Sequence, residues 1–212
     1  MNCLTITIKY IVVVFNFLCV LLGIVIVVLS TLAMKELGVA SKPICVSLIV
    51  FGSIILCISF VGCCGALTEN LCCTWTYAIC LLVLLVCIVI DIIYIIRADS
   101  SEHARHDVKL AWQHMIEGSD VTMHLYQSTM ECCGKTDYND YIKAGMIIPM
   151  TCYRDFTMTP AHLYQTGCLA ELTDSYNASF NRMYIISMVI FTIEAISLVF
   201  AIALGVTYQL EY

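Results

Sequence analysis

Cysteine offers the most chemistry in this 212-residue chain, at 14 positions. Four of them, Cys132, Cys133, Cys152 and Cys168, stand in a polar stretch, the first two adjacent. Four cysteines in a small polar segment read as a disulfide framework, which needs an oxidising compartment. A zinc site competes, yet no C-x-x-C pair occurs and adjacent cysteines are poor tetrahedral ligands. Four cysteines allow three pairings, and a Cys132–Cys133 bridge would be strained. His103 and His106 lie one helical turn apart, a spacing that can hold a metal, although solvated surface histidines are the commoner case. Asn177-Ala178-Ser179 is a glycosylation sequon. No nucleophile elbow, His-Glu-x-x-His or phosphate loop is present, so neither catalysis nor a resident metal is expected.

Three further polar residues, Asn16, Asp91 and Glu194, interrupt long apolar runs, and those runs define the architecture. The chain is 61% hydrophobic and 12% charged, far from the roughly 25% charged residues of a soluble domain. The apolar excess falls in four blocks, Tyr10–Met34, Ile44–Leu67, Thr74–Ile96 and Met183–Tyr208, of 25, 24, 23 and 26 residues. Each exceeds the ~20 residues that cross a ~30 Å hydrocarbon core. The first block is too long for a signal-peptide core of about 7–15 residues and reads as a retained span. The sequence therefore predicts an all-α membrane protein with four transmembrane helices and a small helical loop domain. A net charge of −6 excludes the basic footprint of a nucleic-acid binder.

The predicted layout is a terminus over 1–9, spans at 10–34, 44–67, 74–96 and 183–208, and a tail over 209–212. A small loop covers 35–43, a tight turn 68–73 and a large loop 97–182. The large loop carries all five histidines and is too small to fold on a hydrophobic core without staples. Positive-inside counting leans towards outer termini, since Lys35 and Lys42 outnumber Lys9. The disulfide framework outweighs one or two lysines, so the termini are placed in the cytoplasm and the two loops outside.

Small and polar residues recur every seven positions: Asn16, Gly23 and Ser30; Cys45, Gly52, Ser59 and Ala66; Ser187, Glu194 and Ala201. A 3.5-residue period keeps one seam facing a partner helix, and small side chains let membrane helices approach closely. At ~1.5 Å per residue, Asn16 lies about 21 Å and Glu194 about 16 Å below the outer surface, against about 8 Å for Asp91. Asn16 and Glu194 are thus expected to share a hydrogen bond, with Asp91 too shallow to join. Cys3, Cys63, Cys64, Cys72 and Cys73 cluster at the inner boundary and are candidates for reversible acylation.

Taken in order along the chain, these features resemble the tetraspanin family over essentially the whole length. The resemblance rests on Cys132-Cys133-Gly134, then Pro149-Met150-Thr151-Cys152 with threonine where the family has serine, then Cys168. Phe60-Val61-Gly62-Cys63-Cys64-Gly65-Ala66 and Glu69-Asn70 match the family's inner turn, and Asn16, Asp91 and Glu194 its intramembrane polar positions. The compact four-cysteine loop is similar to that of smaller insect-type members. The resemblance implies the pairs Cys132–Cys168 and Cys133–Cys152, closing loops worth roughly 3–4 kcal/mol each in the chain-entropy argument. It also implies a helical stalk bearing a variable head at 135–167. Ser100–Glu117 reads as a helix continuing the third span, Asp120–Glu131 as a second helix, and Tyr176–Arg182 as a helical lead into the fourth span. Tyr138, Tyr141, Ile142, Met146, Ile147, Ile148, Tyr153, Phe156 and Tyr164 give the head either a small core or an interaction surface.

The implied function is lateral organisation of other integral membrane proteins, such as receptors, adhesion molecules and other tetraspanins, without catalysis. Plasma or endosomal membranes are the implied residence, with membrane lipids as partners and a sterol-sized cavity ending in polar residues. The rival is a four-pass channel or transporter using Asn16, Asp91 and Glu194, which lacks the repeats and broken helices such proteins use.

Overall fold

A computed structural model describes residues 3–36, 42–118 and 121–211, without the side chains of Cys3, Leu4, Glu36, Asp155 and Glu211. Most of the 35–43 loop, Asp120 and Tyr212 therefore lie outside the described residues, as does the thiol of Cys3. Seven α-helices are described: α1 (Cys3–Glu36), α2 (Lys42–Thr68), α3 (Leu71–Arg97), α4 (Ser100–Ile116), α5 (Val121–Met130), α6 (Asn139–Lys143) and α7 (Cys168–Glu211). Three 3₁₀ turns and one isolated antiparallel bridge, Tyr153 to Leu163, fill the segment between α6 and α7. Thr5–Lys35, Lys42–Thr68, Leu71–Arg97 and Cys168–Leu210 are long and apolar enough to cross a membrane. The protein is a four-span, all-α membrane protein.

The chain divides into two compact units, residues 1–90 with 188–212, and residues 91–187. In the first, the seven-residue seam is the buried face: Asn16, Gly23 and Ser30 on α1, Cys45, Gly52, Ser59 and Ala66 on α2, Glu194 and Ala201 on α7. Tyr208 extends the α7 series by one further heptad. The small residues are there for contact, since a Cβ on Gly23 would stand 3.0 Å from the Gly52 carbonyl oxygen. At the tight turn, the Asn70 carboxamide accepts from Cys73 N–H at 3.2 Å and caps α3. Lys9 of α1 pairs with Glu69 at 2.6 Å.

The second unit departs from two expectations. The chain does not continue helically from α3 into α4. Ala98 and Asp99 break it, and the Asp99 carboxylate accepts from Ser101 N–H at 2.9 Å. Asp-Ser-Ser offers the backbone a side-chain cap, which competes with helix continuation. Conversely, α7 is helical from Cys168, eight residues before the expected start at Tyr176. Its first N–H groups have partners ready: Cys168 N–H donates to Gly134 O at 3.1 Å and Leu169 N–H to Lys135 O at 2.9 Å. Orphan donors that usually limit a helix start are thereby satisfied.

Candidate functional site

The disulfide core of the loop is built around two glycines. Cys132 bridges Cys168 and Cys133 bridges Cys152, and all four are fully buried. Gly134 has φ +73°, and a Cβ there would stand 1.9 Å from the Asp137 carbonyl oxygen. Gly167 faces the other side of the same turn, where a Cβ would stand 2.2 Å from Thr136 O. No side chain fits either position. The turn is tied by Asp140, whose Oδ2 accepts from Lys135 N–H, Thr136 N–H and the Thr136 hydroxyl at 2.9, 2.7 and 3.0 Å. Partial burial pushes the Asp140 carboxyl up, but the donors from Thr136 and Asp137 hold it below its usual value on balance.

Beneath this turn a buried polar chain joins three elements. Gln127 of α5 is fully buried and its side-chain amide donates to the Tyr141 hydroxyl, while the Thr151 hydroxyl donates to Gln127 Oε1 at 2.7 Å. Thr151 thus supplies a hydroxyl to this chain of bonds. Tyr141 also packs edge-on against Trp112 at 5.0 Å between centroids, and Lys135 caps the Trp112 ring at 5.1 Å. Of the head's apolar set, Tyr141 is buried, while Tyr138, Met146, Ile148, Tyr153 and Tyr164 pack against the core. Ile142, Ile147 and Phe156 are exposed, Ile147 to 88%, and Met150 and Met158 are exposed beside them in sequence.

In the stalk, His103 of α4 meets Tyr176 and Phe180 of α7 at ring-centroid distances of 6.2 and 5.8 Å. The Tyr176 hydroxyl donates to Asp107 Oδ2, and His106 Nδ1 lies 3.3 Å from Asp107 Oδ1. The hydrogen bond from Tyr176 holds the Asp107 carboxyl below its usual value, and the same bond pushes Tyr176 up to about 12. Asn177 is exposed on α7, and Asp91 accepts a hydrogen bond from Ser187 at 2.9 Å.

Within the membrane unit, Asn16 and Glu194 line one apolar cavity of about 370 Å³ with Cys19, Ser59, Tyr77 and side chains of all four spans. They do not form the expected pair. The Asn16 amide donates to Val12 O at 2.9 Å and to the Tyr77 hydroxyl at 3.1 Å. Glu194 Oε1 is buried with no hydrogen-bond partner among the described residues. Tyr77 reaches Asn16 because Gly62 leaves room, a Cβ at Gly62 standing 2.8 Å from both. Of the inner cysteines, Cys72 is exposed, whereas Cys63, Cys64 and Cys73 are half-buried and the Cys63 thiol points to Val13 O at 3.8 Å.

Four apolar spans and a small helical loop domain closed by adjacent cysteines define a class of membrane protein rather than a generic four-helix bundle. A sequence model of the tetraspanin family matches residues 8–207, and the chain belongs to that family. It is 30% identical to "Protein late bloomer" of Drosophila melanogaster over 157 residues, 74% of this chain and 73% of that one. It is 31% identical to a "23 kDa integral membrane protein" of Schistosoma japonicum over 166 residues, 76% and 71% of the two chains. A 24% identity to "Leukocyte surface antigen CD53" of Rattus norvegicus extends over 93% of this chain and 90% of that one.

Proposed function

We propose that this tetraspanin organises other integral membrane proteins laterally through the head of its large loop, with no catalytic step. Ile142, Ile147, Phe156 and Met158 carry the reading, being large apolar side chains exposed on a frame fixed by two disulfides. Large apolar side chains left outside a tiny core suit recognition of an apolar partner surface. The loops face the exterior or an endosomal lumen and the termini the cytoplasm, because buried cystines belong to an oxidising compartment. Plasma and endosomal membranes are the proposed residence. Acylation at the inner boundary, first at exposed Cys72, strengthens lateral gathering, and Asn177 is exposed enough to carry a glycan. A sterol or similar lipid suits the cavity between the spans, where Glu194 Oε1 has no hydrogen-bond partner among the described residues.

The test is photo-cross-linking of the intact protein in its native membrane from residues 147 and 156. Integral membrane proteins captured by the native head, and lost when Ile147 and Phe156 become Ser and Gln, support the reading. Capture unchanged by both substitutions removes the head from partner recognition. The buried Glu194 Oε1, without a hydrogen-bond partner among the described residues, favours one second reading, a conducting pathway, and liposome flux decides it.

A further inference from the structure

The turn joining α2 to α3 opens a cavity of about 490 Å³, lined by Thr68, Glu69, Asn70, Leu71, Cys72 and Trp75. All six belong to the membrane unit, and none of them lines the cavity around Glu194. So short a connection between two spans lies in the headgroup layer, about 5–8 Å deep on each side of the hydrocarbon. Trp75 suits that level, where tryptophan is enriched. We propose that this cavity holds the primary ammonium of a phospholipid headgroup, with Glu69 and Thr68 as its acceptors.

Charge sets the sign of the ligand. Glu69 is the only carboxylate on the wall, and among the described residues no lysine, arginine or histidine lines it. The pair with Lys9 engages Glu69 Oε1 at 2.6 Å and leaves Oε2 for a second cation. Glu69 also stands at φ +54°, a conformation that glycine takes at less cost, so its carboxylate is kept there for use. The Thr68 hydroxyl spends its proton on Cys64 O at 2.7 Å, so its oxygen can only accept from a ligand. Two acceptors on one cavity select an ammonium that carries N–H donors over a trimethylated one, which has none. The Asn70 carboxamide oxygen is engaged by Cys73 N–H at 3.2 Å, which leaves the N–H₂ group of that side chain to donate. A phosphate adjoins the ammonium in a phospholipid and accepts from such a donor, whereas a lysine side chain brings no acceptor with it. Headgroups also surround the turn without having to approach from solution.

Native mass spectrometry of the intact protein, released from nanodiscs of equal phosphatidylethanolamine and phosphatidylcholine, tests the site. The two lipids carry the same net charge, so bulk electrostatics cancels between them. Retained lipid is expected to favour phosphatidylethanolamine roughly two- to five-fold, the upper range of an exposed ion pair. Glu69→Gln should remove that preference. Lys9→Gln, which breaks the ion pair but keeps the carboxylate, should preserve it. Equal retention of the two lipids by the unaltered protein overturns the proposal. So does a preference that survives Glu69→Gln, or one that Lys9→Gln abolishes. If no lipid is preferred while acetyl-tetralysine amide shields exposed Cys72 from maleimide, the occupant is a basic protein segment and the lipid assignment falls. Partner capture by the head enters none of these readouts.

Discussion

The two units of this chain solve opposite problems with opposite materials. Residues 91–187 bury cystines, a glutamine and a tyrosine in a core too small to hold by apolar area alone, and covalent bridges with charge-assisted hydrogen bonds make up the deficit. The membrane unit has apolar surface in excess and no hydrophobic drive between its helices, because lipid tails are as apolar as leucine. Its order comes from small residues that admit backbone contact, Gly23 against Gly52 and Gly62 against Asn16 and Tyr77. A glycine therefore means different things in the two units. At Gly134 it is a backbone conformation and a turn with no room; at Gly62 it is a flat patch on a regular helix.

Breaking the loop's staples should give the largest effect. Cys133→Ser leaves Cys152 unpaired and costs about 2–5 kcal/mol of loop stability, as native disulfides in small domains do. Non-reducing peptide mapping should find a free thiol at Cys152 and an intact Cys132–Cys168 bridge. Gly134→Ala comes next, at roughly 2–3 kcal/mol or more, since it adds left-handed strain to a 1.9 Å clash with backbone. Protease sensitivity confined to the loop would register it. The matching insult in the other unit, Gly62→Leu, should cost about 1–3 kcal/mol by overpacking against Asn16 and Tyr77. It should lower the thermal midpoint in detergent while both disulfides form normally. Loss of the disulfides in that variant would show that the two units do not fail independently.

Titrations in the loop unit, one site in the stalk and one in the disulfide-closed turn, sharpen the contrast. Asp107 and Asp140 are held below the usual carboxylate value, so their contribution is present above about pH 4 and is lost as pH falls through their folded values. Tyr176 is raised, so its contribution is whole below about pH 10 and is lost as pH rises towards about 12. Circular dichroism of the loop should show both edges, and Tyr176→Phe should remove the alkaline one.

Most of the architecture was legible because membrane spans are written in composition: twenty-odd apolar residues in a row have few other uses. The heptad of small residues marks the buried face of α1 and α2, and of α7 from Glu194 on, whereas Ser187 is only half-buried and bonds to Asp91; the Cys132-Cys133-Gly134 triplet ends at a turn with no room for a side chain. What escaped were partners separated far along the chain. Gln127 carries no local signal, being an ordinary polar residue on a short helix, yet it is fully buried and joined to Tyr141 and Thr151. Asp140 and Gly167 act on a turn that exists only once the bridges bring 133–140 beside 166–168. The early start of α7 depends on the same turn's carbonyls. Tyr77 carries no polar signal in the sequence either, since a phenol inside an apolar span adds mostly apolar bulk and its hydroxyl gains meaning only against Asn16.

The Asn16–Tyr77 bond reverses one expectation and supplies the smallest predicted effect. Were Asn16 paired with Glu194, Glu194→Leu would orphan an amide and destabilise the bundle. Asn16 instead donates to Tyr77, and Glu194 Oε1 is the buried atom left over. Replacing a buried polar group that lacks a partner with an apolar one of similar size is close to neutral, because no hydrogen bond is lost. Glu194→Leu should thus leave the thermal midpoint nearly unchanged, whereas Tyr77→Phe should lower it through a loss of about 0.5–2 kcal/mol of stability, the range of interhelical hydrogen bonds in membranes. Glu194→Gln should match the unaltered protein in stability and partner capture. The same variant separates organiser from channel: in liposomes, proton or ion flux above empty vesicles that vanishes in Glu194→Gln would assign the carboxyl to conduction. If instead Glu194→Leu destabilises more than Tyr77→Phe, the carboxyl holds a structural partner and the cavity's polar end is packing, not a site awaiting a lipid.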